Sequence, residues 1–218
     1  MLPTAATIVG LQRQLMATGR PEAELVRIAR THDLAIRLFG ARFRASGVPF
    51  VCHLVGTASI LAAAGSRVDV VVAGLLHAAY RQGDFRGSGA ATAGDRRRLV
   101  ADAAGPAAEA LVHAYAAFPW PAGAAEPTAD PDLVRIRIAN EIDDHRDGAM
   151  LFARKASREP SGAEGAAIRA AARAHPPLDA WLDHVLADRP EVPDALRRTD
   201  AVSFDAGPRG RLLGLRLR

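Results

Sequence analysis

Residues 50–80 read FVCHLVGTASILAAAGSRVDVVVAGLLHAAY, and the reading of this stretch decides the fold. From His53 to Ala64, small and apolar side chains recur at helical spacing, and Gly65 supplies a residue that tolerates the left-handed backbone of a helix stop. Asp69 offers a cap for a second helix over Val70–Tyr80 that is apolar almost all round. A helix with no polar face belongs in a core. The stretch therefore predicts a helical hairpin at the centre of the molecule.

Outward from the hairpin the same periodicity continues, and no run alternates β-branched with polar residues, so the expectation is all-α. Thr4–Thr18 reads as a first helix. Pro21 suits the first turn of a second that runs to about Arg44, before Ser46, Gly47, Val48 and Pro49 break it. After the hairpin, Gln82–Gly94 is rich in Gly, Ala and Ser and reads as a mobile loop. Helices over Asp95–Ala104 and Pro106–Ala117 follow, then Phe118–Asp130, whose three prolines and Trp120 suggest a rigid flap. The longest helix is expected over Pro131–Ser157, a hinge near Pro160–Gly165, and short helices at Ala166–Ala174, Leu178–Ala187 and Val192–Arg198. This divides the chain into a helical domain over residues 1–160 and a C-terminal helical extension, 161–218, packed on the same domain.

Half of the 218 residues are apolar, enough for a sizeable core. The net charge of +4 and pI near 10.1 come almost wholly from arginine, since Lys155 is the one lysine; with abundant Ala, Gly and Pro this reads as the codon bias of a GC-rich bacterial genome. The arginines are spread rather than interleaved with aromatics, the local runs being Arg96–Arg98 and the tail from Arg209 to Arg218. A nucleic-acid partner is therefore not expected. Cys52 is the single cysteine, which excludes a disulfide framework and a cysteine zinc site. The first ten residues lack a basic flank before a long apolar run, and no stretch reaches the ~18 apolar residues that span a bilayer. The expectation is a cytoplasmic protein with no membrane partner.

Candidate chemistry comes from arithmetic about Gly65: His53 lies twelve residues before it and His77 twelve after it. Equal distances from the turn of an antiparallel hairpin bring two residues level, to within about one helical turn of ~5.4 Å. Two imidazoles meeting at one end of an apolar hairpin can serve as ligands or as an acid–base pair, although each could equally satisfy a backbone carbonyl or a helix end. On the long helix, Asn140, Asp144 and Asp147 share a face with Leu133 and Ile136, which points them inward. A solvated, salt-bridged surface is the competing reading for Asp144 and the favoured one for Asp143, Arg146 and Asp147.

Arg44, Ser46, Gly47, Pro49, Phe50 and His53, followed by Ala73, Gly74, Leu75, Leu76 and His77 and then Ile138, Ala139 and Asn140, resemble the HD superfamily of phosphohydrolases, nearest the hydrolase domain of stringent-response enzymes of the RelA/SpoT type. The likeness covers residues 30–147 and implies an HD-domain-like helical bundle with additional C-terminal helices. It also implies a divalent metal held by two histidines, an aspartate directly after the second, and a later aspartate on a long helix. His53 and His77 match the histidines. Ala78 and Asn140 stand where the two aspartates belong, so the metal site is degenerate and both changes remove an anionic oxygen donor.

The expectation is thus a repurposed, hydrolase-like pocket without a resident cofactor. His77, His53 and Asp144 would be its acid–base groups, and Arg44, Tyr80 and Asn140 would bind a polar, anionic or nucleotide-like small molecule. One alternative keeps metal chemistry, as a phosphohydrolase or an oxygenase of the HD type, with zinc, iron or manganese on His53, His77 and Asp144, or with Asp84 as a substitute ligand. Another is a non-catalytic sensor or interaction module. Leu212, Leu213, Leu215 and Leu217 among arginines would suit an arm that packs in a homodimer.

Overall fold

The computed structural model describes residues 4–44, 46–118, 130–148 and 163–187, and among these every regular element is a helix. The chain runs α1 (Ile8–Ala17), α2 (Glu22–Phe39), α3 (Phe50–Ala63), α4 (Val68–Leu76), α5 (Ala79–Gln82), α6 (Ala93–Ala104), α7 (Pro106–Ala117), α8 (Pro131–Arg146), α9 (Ala163–Arg173) and α10 (Pro176–Ala187).

α3 and α4 form the central hairpin. Gly65 takes φ +73°, its amide donates to Ala62 O and that of Ser66 to Leu61 O, so two carbonyls orphaned at the end of α3 are satisfied by one left-handed residue. Every residue from Val70 to Leu76 is buried. The two helices touch closely because position 74 lacks a side chain: a Cβ there would lie 2.7 Å from Leu61 Cδ1 and 3.3 Å from Ala58 Cα. Around this hairpin α1 and α8 pack on α3, while α2 and α7 pack on α4. Asp69 does not cap α4; it lies in the first turn and pairs with Arg27 at 2.5 Å and with Arg67 at 2.5 Å.

Three differences from the sequence reading shape the site. The second helix stops at Phe39 rather than near Arg44, and a bridge joins Phe43 to Pro49 ahead of α3, with Gly47 at φ +86° and Arg44 N donating to Val48 O at 2.9 Å. The expected helix Val70–Tyr80 breaks at His77, which leaves helical bonding so that its own ring can hold the Gly74 carbonyl; α5 starts two residues later. The glycine-rich segment before α6 is anchored, since Phe85 and Ala90 are buried and Asp84 N donates to Leu38 O at 2.9 Å.

α8 is covered on a second side by α9 and α10, which bring Ile168, Ala172, Leu178 and Leu182 into the core. Burial from both sides is why Ile138, Ile142 and Asp143 are all at 0 % exposure on one helix. The far end of the expected long helix, the flap around Trp120, the hinge at 160–162 and everything after residue 187 lie outside the described residues.

Candidate functional site

The equal spacing about Gly65 is realised in the packing: the His53 and His77 rings meet edge to face with centroids 5.2 Å apart, and both residues are buried. α3 supplies His53 from its first turn, stacked at its edge on Phe50, which itself stacks on Phe39 at 5.1 Å. α4 supplies His77 at its end, and α8 closes the third side.

His53 is held through both nitrogens. Nδ1 lies 2.8 Å from Asp143 Oδ2 and Nε2 lies 3.2 Å from Asn140 Oδ1. The Asn140 amide donates through Nδ2 to Asp144 Oδ2 at 2.8 Å, which fixes its oxygen toward the ring. Both ring nitrogens therefore face acceptors, and the pattern is satisfied by an imidazolium that donates twice. Asp143 balances that charge and receives a second cation, Arg146, on Oδ1 at 2.7 and 3.0 Å.

Asp143, read from the sequence as a surface group, is fully buried, and Gly56 is the reason it fits. A Cβ at position 56 would stand 2.7 Å from Asp143 Cγ and closer still to Oδ1. A single missing methyl group on α3 thus makes room for the carboxylate that α8 presents.

Arg44 reaches into the same cluster from the segment ahead of α3. Its guanidinium pairs with Asp144 and places Nε 2.6 Å from Asp147 Oδ2, while its carbon sits 5.8 Å from the Phe50 ring centre. Burial alone would push Asp144 up, but the charges of His53, Arg44 and Arg137 outweigh it and hold the carboxyl below the usual range.

His77 differs from His53 in charge. Its Nδ1–H donates to Gly74 O at 2.8 Å, which leaves Nε2 with its lone pair. Burial, reinforced by the charge of His53, pushes its pKa down from 6.5 to about 3. It is a neutral imidazole at physiological pH. On its other side the ring meets Tyr115 of α7 edge to face at 5.4 Å, and the Tyr115 hydroxyl accepts from Arg137 NH1 at 3.3 Å. Arg137 is bonded in turn to Glu141 at 2.6 Å, whose carboxyl is raised by burial against the pull of Arg137. Among the described residues, no hydrogen bond reaches His77 Nε2 and none leaves the Tyr115 hydroxyl proton.

The structure thus brings together His53, His77, Asn140, Asp144 and Arg44. It does not add Tyr80, whose hydroxyl donates to Glu109 Oε1 at 2.8 Å in a separate cluster with Arg97 and His113. Burial and Glu109 push that phenol well above its usual range. Asp84 does not join either, because its carboxylate is taken by Arg86 at 2.7 Å. Sequence reasoning missed Asp143, Tyr115, Arg137 and Glu141. The available signal was Gly56, a residue without a side chain in the helix facing α8.

The basic run Arg96–Arg98 is engaged locally, with Arg96 over Phe85, Arg97 on Glu109 and Arg98 on Asp95. No helix among the described residues is long and apolar enough to cross a membrane.

Residues 38–119 match a family described as Domain of unknown function (DUF6817). The matched span carries Arg44, His53, Gly56, His77 and Tyr115 but ends before α8, so the acidic half of the cluster lies outside it. No curated protein matches the chain.

Proposed function

We propose that this protein binds a small polar or anionic metabolite at the His77–Tyr115–Arg137 wall of the buried cluster, on a helical scaffold of the HD type. The carrying observation is the pair of unused hydrogen-bonding groups at that wall: a neutral imidazole lone pair on His77 and a hydroxyl proton on Tyr115, with Arg137 behind it. Buried polar groups nearly always have partners, so an acceptor and a donor on two rings in contact favour a ligand that offers the complement. A hydroxy acid, or a phosphate monoester that carries a free alcohol, has both, a hydroxyl to donate and an anionic oxygen to accept.

Binding is favoured over proton transfer. A histidine held near pKa 3 is too weak a base to carry a proton at neutral pH, and His53 is committed through both nitrogens. The acid–base roles expected for His77, His53 and Asp144 accordingly become an acceptor, a cationic strut and a countercharge.

A resident metal does not suit these donors. His53, Asp143 and Asp147 each offer an atom within 4.8 Å of the others, but the imidazole donates to Asp143, and Arg146 and Arg44 already neutralise the two carboxylates. His77 and Asp144, the other ligands suggested by the sequence, are turned to Gly74 and to Arg44 and Asn140.

The test is calorimetry and thermal shift with malate, glycerol 3-phosphate, inorganic phosphate and adenosine monophosphate, on the native chain and on Tyr115→Phe. At least one compound is expected to bind, and losing the hydroxyl should weaken it about tenfold, or ~1.4 kcal/mol. Binding that is indifferent to Tyr115→Phe, or no binding across the panel, defeats the reading.

A further inference from the structure

The carboxylates of the buried cluster are not all held alike. Asp143 pairs with His53 and Arg146, and Asp144 takes Arg44 together with the Asn140 amide. Glu141, only 5 % exposed, pairs with Arg137 one turn back on the same helix, Oε1 to Nη2 at 2.6 Å. That guanidinium also faces the ligand wall, since its Nη1 donates to the Tyr115 hydroxyl at 3.3 Å. One cation therefore stands between Glu141 and the place where a ligand's anionic oxygen would accept the Tyr115 proton.

We propose that Glu141 is an internal stand-in for the ligand's anionic group, yielding its hold on Arg137 when the ligand arrives and taking one proton from solvent as it does so. This rests on ligand binding at the Tyr115 wall and adds what becomes of the charge there. Two anions sharing one guanidinium in a buried setting repel each other at close range, and the surplus charge is costly to bury. Protonating one carboxylate removes the surplus. Glu141 is the group suited to it: burial, and after it the charge of Asp144, raises its carboxyl against the pull of Arg137, whereas Asp144 is held below the usual range. The groups that face Glu141 are Arg137 and Asp144 on α8 and His53 on α3, with Tyr115 of α7 behind Arg137 and the neutral His77 at the end of α4. α9 and α10 turn Arg169, Arg173, Asp183 and His184 to solvent and commit His175 to Arg135.

Calorimetry with malate, glycerol 3-phosphate, inorganic phosphate and adenosine monophosphate at pH 7.5, in buffers of low and high ionisation enthalpy, counts the protons that accompany binding. The native chain is expected to take up about one proton more per bound ligand than Glu141→Gln, which keeps the length of the side chain and removes its charge. Freed of the competing carboxylate, the variant should bind about tenfold more tightly or better. Malate stays fully ionised between pH 6 and 8, so its affinity for the native chain should fall as the pH rises and the proton becomes harder to take up, while that of Glu141→Gln stays level. Circular dichroism checks that the variant is folded, and the proton count on the native chain stands without it. Binding that depends on Tyr115, as read from Tyr115→Phe, but takes up no proton in the native chain overturns the stand-in and leaves the ligand site intact. So does binding that weakens in a folded Glu141→Gln. No Tyr115-dependent binding in either protein removes the site and the stand-in together.

Discussion

α4 and α8 are both buried, but they are buried by different means. From Val70 to Leu76, α4 contributes apolar side chains alone, whereas α8 sinks Asn140, Glu141, Asp143 and His145 beside Ile136, Ile138 and Ile142. Burial of α4 stabilises the fold at roughly 25 cal/mol per Å² of apolar surface. Burial of α8 is offset by the cost of desolvating its charges, and it holds only because each charge meets an opposite one from another element or from the next turn. Removing a side chain from α4 leaves a cavity, while removing one from α8 leaves a partner stranded.

That contrast can be broken in four places. Asp143→Ala strands the His53 imidazolium and Arg146 together and should cost about 3–5 kcal/mol in urea unfolding, the range for removing one member of a buried pair. A loss under about 1 kcal/mol would mean that α8 is wetter than its packing implies. Leu76→Ala, in the fully apolar helix, should cost about 2–5 kcal/mol by cavity formation. If it instead exceeds the aspartate by a wide margin, the charged helix is the less committed of the two. Gly56→Ala adds a methyl group against the Asp143 carboxylate and should cost about 1–3 kcal/mol by overpacking, with much of the penalty relieved when Asp143→Ala is present. Additive effects would show that the two positions do not meet.

The smallest effect is expected at the outer cover of α8. His175 accepts from Arg135 Nε at 3.2 Å, and burial, with Arg135 adding to it, holds its folded pKa below 6.5. A folded pKa below the unfolded one means that the unfolded chain takes up the proton first. The stability from neutral His175 is therefore complete above pH 6.5 and declines as the pH falls below it. Amide protection in α9 and α10 should drop between pH 7.5 and 5.5 by more in the native chain than in His175→Gln; equal drops would remove His175 from the docking.

The same contrast explains what could be read from the residues alone. α3 and α4 were legible because a buried apolar helix writes its environment into every position, and Gly65 marks the turn between them. α8 was legible as a helix and only partly as a site. Asp144 and Asn140 could be assigned to an inward face from their spacing with Ile136, but Asp143, one step round the helix, looked solvated. It is buried because α3 presents His53 and the space left open at Gly56 to it, and nothing within α8 announces them. Tyr80 was misassigned for a related reason: the helix break at His77 redirects it toward Glu109.

The sequence by itself determined the helical class, the central hairpin and the level meeting of His53 and His77, because each follows from helical period and the count of residues to a turn. Tertiary structure decided the charge states and the occupancy of the site. Asp143 meets His53 across 90 residues of chain and Arg44 meets Asp144 across 100. The pairing energy of a buried charge depends on where its partner stands in space, and local periodicity carries no information about that distance.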